Sequence, residues 1–208
     1  MNERLDVRTL VARAPLRTVR TRDLAAVYAH PAQEVPALVR RGVLHRLAHG
    51  LYCAVPPEAD PATWRPDLEA AAAGVATAHF GDGVPVLTGT SAARVHHAIP
   101  RAIHVAAVAV PTPRRPLRLA DRDATVRFVV RDVARLDAVR MPTELGPALV
   151  TTPEQTVLDL ARADPAGHGD TSEAVRALLP LCDDDTLAQI ATAQRMRATL
   201  ARVRGAAS

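Results

Sequence analysis

The sequence predicts an α+β protein: an N-terminal winged helix-turn-helix followed by a larger mixed α/β domain that ends in helices. Three observations lead there. In the first fifty-odd residues, helix-period apolar spacing gives way to an alternating run turned by a glycine. Two strand-like runs, HVAAVAV (104–110) and ATVRFVV (124–130), sit in the middle of the chain. Capped amphipathic patterns then fill its end. The stretch PPEADP (56–61) separates segments of different charge, which sets domains at 1–56 and 62–208.

Each N-terminal element has a local cause. In ERLDVRTLVARA, Leu5, Leu10 and Val11 share one helix face, and Pro15 ends the run. In RTVRTRDLAAVYA, Thr21 is a suitable N-cap, because its hydroxyl can accept from a first-turn amide, and Asp23 suits the helix dipole. Leu24 and Val27 then point inward, with Tyr28 beside them. A third helix is expected from Ala32 to Arg41, with Pro36 tolerated in its first turn and Gly42 as its C-cap. Next, VLHRLAHGLYCAV alternates with period two around an AHG turn. Three short helices followed by a β-hairpin is the order of a winged helix.

Downstream, WRPDLEAAAAGVATAHF predicts a helix, and GVPVLTGTSAARVHHAI a short strand leading into another. VTTPEQTVLDLARA holds the clearest helix start: Thr152 at the N-cap, Pro153 at the first helical position, and Gln155 completing a capping box. From Thr171 to Arg204, two or three amphipathic helices are expected, interrupted at CDDDT.

Composition excludes several classes of function. The chain has 208 residues, and no stretch approaches the ~20 apolar residues of a membrane span. MNERLDVRTL lacks the apolar segment of a secretory signal, and Cys53 and Cys182 lie outside metal-ligand spacing. A cytoplasmic protein without a disulfide framework is therefore expected. All 26 basic residues are arginine. The absence of lysine excludes P-loop chemistry, Schiff-base chemistry and the lysine-dependent cores common among nucleases.

Charge is unevenly placed. Residues 1–55 hold nine arginines against four carboxylates, a net of +5, while the whole chain carries +4. A basic front on a nearly neutral body points to a polyanion-binding module, here for double-stranded DNA. In a helix-turn-helix, the second helix of the pair lies in the major groove. Here it presents Gln33, Glu34, Arg40 and Arg41. Arginine pairs bidentately with guanine, and glutamine with adenine. Thr21 and Arg22, at a helix start, suit a phosphate. Arg46 and His49 in the wing would track the backbone. Arg114, Arg115 and Arg118, in the proline-stiffened PTPRRPLRLADRD, form a second basic patch that fits either a further DNA or partner contact or a solvated loop.

The segment VRTRDLAAVYAHPAQEVPALVRRGVLHRLAHGLYCAVP (19–56) resembles the N-terminal winged helix of the AbiEi family of antitoxins, from bacterial toxin–antitoxin systems of the abortive-infection type. The matching features are the TRDL helix start, the LVRRGVLHRL helix-to-strand run, and GLY closing the wing. PVLTGTSAARVHHAI (85–99) and TTPEQTVLDLA (151–161) resemble segments of that family's C-terminal domain. The resemblance implies a repressor of its own promoter whose second domain opposes a neighbouring nucleotidyltransferase toxin. His49 stands where family wings often carry arginine.

Catalytic readings fare poorly. In TGTSAAR, a nucleophile elbow would need glycine two residues after Ser91, where Ala93 stands; Ser91 or Thr90 as a helix cap is the better account. His96, His97 and His104 lack carboxylate or thiolate partners at ligand spacing, so no metal or other cofactor is expected. Asp184 or Asp185 is expected to cap a helix. Two further functions compete with the antitoxin reading: a ligand-responsive winged-helix transcription factor, and a DNA-targeted nuclease-like enzyme.

Overall fold

In the N-terminal part, α1 (Val7–Arg13) leads into strand β1 (Thr18–Arg20), a 3-10 segment (Thr21–Ala26), α2 (Pro31–Arg40), and a hairpin of β2 (Leu44–Ala48) and β3 (Leu51–Ala54). The hairpin follows a helix as expected, but strand β1 was not foreseen, and the second of the three expected helices is a 3-10 segment. The computed structural model describes residues 6–207 except 102 and 167; Leu5, assigned above to the first helix face, lies outside them. The three strands form one antiparallel sheet in the order β1-β3-β2. Its register sets Thr18 opposite Cys53 and Arg46 opposite Tyr52.

Both faces of this small sheet are covered. Val19, Leu44 and Tyr52 turn toward α1 and α2, where they share a core with Val7, Val11, Leu24, Val35 and Leu38. Leu47, Ala48, Leu51 and Cys53 turn the other way, into the core of the body. Strand periodicity does this, since alternate side chains leave opposite faces. Leu16 and Arg17 hold positive φ angles of 48° and 46° just after α1. The turn costs backbone strain, but it sends Leu16 into the body's core, where it is 8% exposed.

The body centres on α3 (Leu68–Phe80) and a six-stranded mixed sheet. Its strands are β4 (Val86–Leu87), β5 (Val105–Val110), β6 (Leu117–Arg118), β7 (Thr125–Val130), β8 (Ala138–Met141) and β9 (Ala148–Thr151), in the order β6-β7-β5-β4-β9-β8. The pairs β5/β7 and β4/β9 are parallel; the others are antiparallel. Residues 68–77 of α3 are buried without a break, in the same core as the sheet and the N-terminal hairpin. Close approach explains the run of small residues there. A Cβ on Gly74 would stand 2.5 Å from the Thr18 hydroxyl oxygen. A second core joins α4 (Thr90–Val95), α5 (Pro153–Ala163), α6 (Gly169–Leu178), α7 (Asp184–Ala193) and α8 (Arg197–Ala207). The architecture is α+β.

A buried polar cluster reinforces the junction. His45 on β2 meets Asp121 across 2.8 Å, and Arg122 grips the same carboxylate at 2.7 and 3.0 Å. Arg122 also donates to the Pro66 carbonyl, and the Ala120 amide donates to the Leu47 carbonyl at 2.8 Å. The His45 ring meets Trp64 edge-on, with centroids 5.6 Å apart. Burial alone would raise the Asp121 pKa. The hydrogen bonds from His45 and Arg122, with the Arg122 charge, outweigh it and hold the carboxyl well below its ordinary range.

No free linker follows the first 56 residues, because one apolar core includes side chains from both sides of the expected boundary. Other local expectations are corrected. Thr21 is the first residue of a 3-10 segment, and Arg20 is its N-cap, its amide donating to Asp23 Oδ2 at 2.7 Å. Pro36 lies in the second turn of α2, beyond the first, and the helix continues through it. Thr152 does cap α5, accepting from the Gln155 amide at 3.3 Å. The Gln155 side chain, however, pairs with the Gln194 amide instead of closing a capping box. Asp183, not Asp184 or Asp185, caps α7, and Gly89 precedes α4 in place of Ser91 or Thr90.

Replacing Asp121 by Asn should strand Arg122 as a mostly buried unpaired cation, at a cost of about 3 kcal/mol. The unfolding midpoint at pH 7 is then expected to fall by roughly 10 °C. Because the folded pKa is depressed, this stabilisation is present above the unfolded carboxylate range and lost as pH falls through the folded value. The gap between wild type and Asp121→Asn should therefore narrow below about pH 4. Thermal unfolding of both chains across pH measures it; equal midpoints at pH 7 would contradict the clamp.

Candidate nucleic-acid interface

The end of α2 is built by a glycine. Gly42, at φ +66°, lets its own amide bond to the Val39 carbonyl and the Val43 amide to the Leu38 carbonyl, both at 3.0 Å. This closes the last turn and starts β2 at once. A Cβ on Gly42 would overlap Pro61 at 2.3 Å, so the position excludes side chains twice over. With Val35 and Leu38 buried, α2 leaves Gln33, Arg40 and Arg41 exposed; Glu34 is half-buried.

The hairpin divides its polar residues three ways. His45 faces the body and is taken by Asp121. Arg46, opposite Tyr52 on the face shared with α2, is exposed on the outer strand β2. His49 is exposed at the tip, followed by Gly50 at φ +69°. Arg40, Arg41 and Arg46 form no ion pair among the described residues, so three fixed positive charges stand free for an outside partner.

Thr21 and Arg22 lie beside the tip, since the Thr21 amide donates to the Gly50 carbonyl at 3.1 Å. Thr21 is half-buried and Arg22 exposed, with a long 3.8 Å contact to Asp23 that screens it little. Arg20, which the sequence reading passed over, joins them. Its pKa is lowered by burial first, then by Arg22 and Arg114, while Asp23 opposes. Arg114, from the distant loop between β5 and β6, therefore belongs to the same positive field.

The second basic patch is divided. Arg114 is exposed and acts electrostatically on Arg20; Arg115 is exposed; Arg118 is engaged by Asp123 at 2.8 Å. Arg122 is inside the clamp. His79, at the end of α3, borders the group. Burial, and then Arg114, Arg20 and Arg22, push its pKa down to about 4, and its Nε2 is buried without a hydrogen-bond partner among the described residues. At neutral pH it adds no charge. Neither Arg20 nor His79 carries a sequence signal of its own. Their meeting depends on β1 pairing with β3 and on α3 passing behind that pair.

The rejected catalytic candidates have structural places. Ser91 is fully buried, and its oxygen accepts from the Ala107 amide at 3.0 Å. His96 is bound to the Thr151 carbonyl at 2.8 Å and His104 to the Asp123 carbonyl at 3.2 Å. Among the described residues, no three His, Cys, Asp or Glu side chains gather to hold a metal ion.

No protein-family model and no curated protein matches the chain. Its fold is similar to that of the RV2827C protein from Mycobacterium tuberculosis, known from a crystal structure. The TM-score is 0.55 at 19% sequence identity, covering 95% of this chain and 75% of that one. At that identity the likeness concerns the fold alone.

Removing the Arg114 charge should raise the pKa of His79 from about 4, because a positive neighbour disfavours the imidazolium. NMR titration of His79 in Arg114→Gln reads the change. An unmoved titration would separate Arg114 from the group around Arg20.

Proposed function

We propose that the protein binds duplex promoter DNA through its N-terminal part as a transcriptional autorepressor, and that its body counteracts a nucleotidyltransferase toxin. The observation that carries the DNA reading is the set of unpaired cations on α2 and the adjoining hairpin face: Arg40, Arg41 and Arg46. Polar Gln33 stands on the same helix and His49 at the hairpin tip. In this reading the first 56 residues act as a winged helix. The ten-residue α2, about 15 Å long, enters a major groove ~12 Å wide. Gln33, Arg40 and Arg41 reach base edges or the flanking phosphates. Arg46 and His49 follow the backbone beside it, with Thr21 and Arg22 on a further phosphate. The clamp at His45 supports the reading by holding the hairpin at a constant angle to the body, which preorganises the cations and lowers the ordering cost of binding.

The antitoxin half of the proposal rests on the resemblance of 85–99 and 151–161 to the AbiEi C-terminal domain. The place of action is the cytoplasm, where promoter DNA and the toxin meet; among the described residues no helix is long and apolar enough to cross a membrane.

Contact with four to six phosphates gives an affinity that falls as about the fourth to fifth power of salt concentration. In gel-shift titrations of the full chain on its own promoter, Arg40→Ala with Arg41→Ala is expected to weaken binding and to flatten that slope by as much as about two. Unchanged binding would overturn the assignment of α2. For the second half, the full chain is expected to restore growth to cells expressing the nucleotidyltransferase of the neighbouring gene from an unrelated promoter, and the double variant to rescue equally. Rescue by the DNA-binding chain alone would put the antagonism in transcription and contradict the division of roles.

A further inference from the structure

A second cationic feature lies in the body, away from α2 and the hairpin. The end of β7, the 3-10 turn Val133–Arg135, α5 and the turn between α7 and α8 enclose a cleft of about 430 Å³ lined by Arg131, Arg135, Arg162 and Arg195. Two carboxylates oppose them. Asp132 lies among the lining residues, and Asp159, 7% exposed, lies beneath.

The four arginines are not equally free. Arg131 is fixed by Asp159 at 3.1 Å and by the Gln194 side-chain carbonyl at 3.4 Å. Arg135 donates to the Ala193 carbonyl at 2.8 Å, and Gln194 donates back to the Arg135 carbonyl at 3.0 Å. A neutral acceptor orients Arg135 without cancelling its charge. Arg162 stands 3.8 Å from Asp159 and is about half exposed. Arg195 is exposed, and its side chain forms no hydrogen bond or ion pair among the described residues.

Arg195 is also in an unusual place. At the end of α7 the Met196 amide bonds to the Ala191 carbonyl at 2.6 Å, with Arg195 at φ +57°. This is the helix ending that Gly42 makes for α2, and glycine is the residue that fits it best. Here the chain sets an arginine in the left-handed region instead, and its side chain borders the cleft.

We propose that this cleft binds the polyphosphate group of a small molecule, such as a nucleoside di- or triphosphate. Arg135, Arg162 and Arg195 take the phosphate oxygens, and Arg131 forms a fixed wall. Guanidinium forks match phosphate oxygens in geometry and charge. Among the described residues, no aromatic side chain lines the cleft to stack on a base, so recognition is through the phosphates. The volume lies in the range of small-ligand sites. This assignment does not depend on the DNA reading.

Thermal unfolding of the full chain with inorganic triphosphate, ATP or adenosine, at matched ionic strength, tests it. Triphosphate and ATP are expected to raise the midpoint, and adenosine to leave it unchanged. Arg162→Gln with Arg195→Gln should weaken triphosphate binding about tenfold or more. Arg195→Gly gives the sharper readout: a higher midpoint without ligand, since glycine relieves the backbone, together with weaker triphosphate binding. The proposal is overturned if neither phosphate compound shifts the midpoint, if ATP binds but triphosphate does not, or if Arg195→Gly binds triphosphate as the wild type does.

Discussion

Asp121 holds the molecule's two parts in one frame. A single mostly buried carboxylate accepts from His45 on the N-terminal hairpin and from Arg122 on its own loop. Around it, Leu47, Leu51 and Cys53 enter the body's core beside α3. A buried charge is tolerated only when its hydrogen-bonding capacity is filled, and here two cation-capable neighbours fill it. The consequence reaches the surface. With one face of the small sheet committed to the body and the other to α1 and α2, the side chains left outside are those of Arg46, His49 and the outer face of α2.

The stretch RRGVLHRLAHGLY is therefore three devices in one segment. Gly42 ends a helix so abruptly that Arg40 and Arg41 stand immediately before a strand. The alternation that follows sends His45 inward and Arg46 outward. The second glycine turns the chain and brings the tip to Thr21. Basic residues are interleaved so tightly because neighbours along a strand serve opposite faces. One set anchors the hairpin, and the other remains charged and unpaired.

Much of this was legible from local patterns, because its causes are local. Gly42 at a helix end, the period-two run of the hairpin and the Thr152–Pro153 helix start were all found where expected. What escaped depends on distant pairing. Strands β8 and β9 are four residues each, and β8 is largely exposed, so neither shows the apolar run that marks β5. Arg20 and His79 meet Arg114 only through the packing of β1 and α3. Charge and proline content mark residues 56–61 as a break, but they do not reveal the shared core that spans them. Its trace is the AAAAGVA run of α3, a helix with no exposed face along residues 68–77, as befits one covered on both sides.

Hydrogen–deuterium exchange of the full chain, with and without promoter duplex, bears most directly on the central claim that the clamped N-terminal part presents its cations to DNA. The account predicts slowed exchange in residues 31–41 and 46–50, with the strands around His45 already protected in the free protein. Duplex binding that leaves both segments unchanged while slowing exchange only in the body would contradict it.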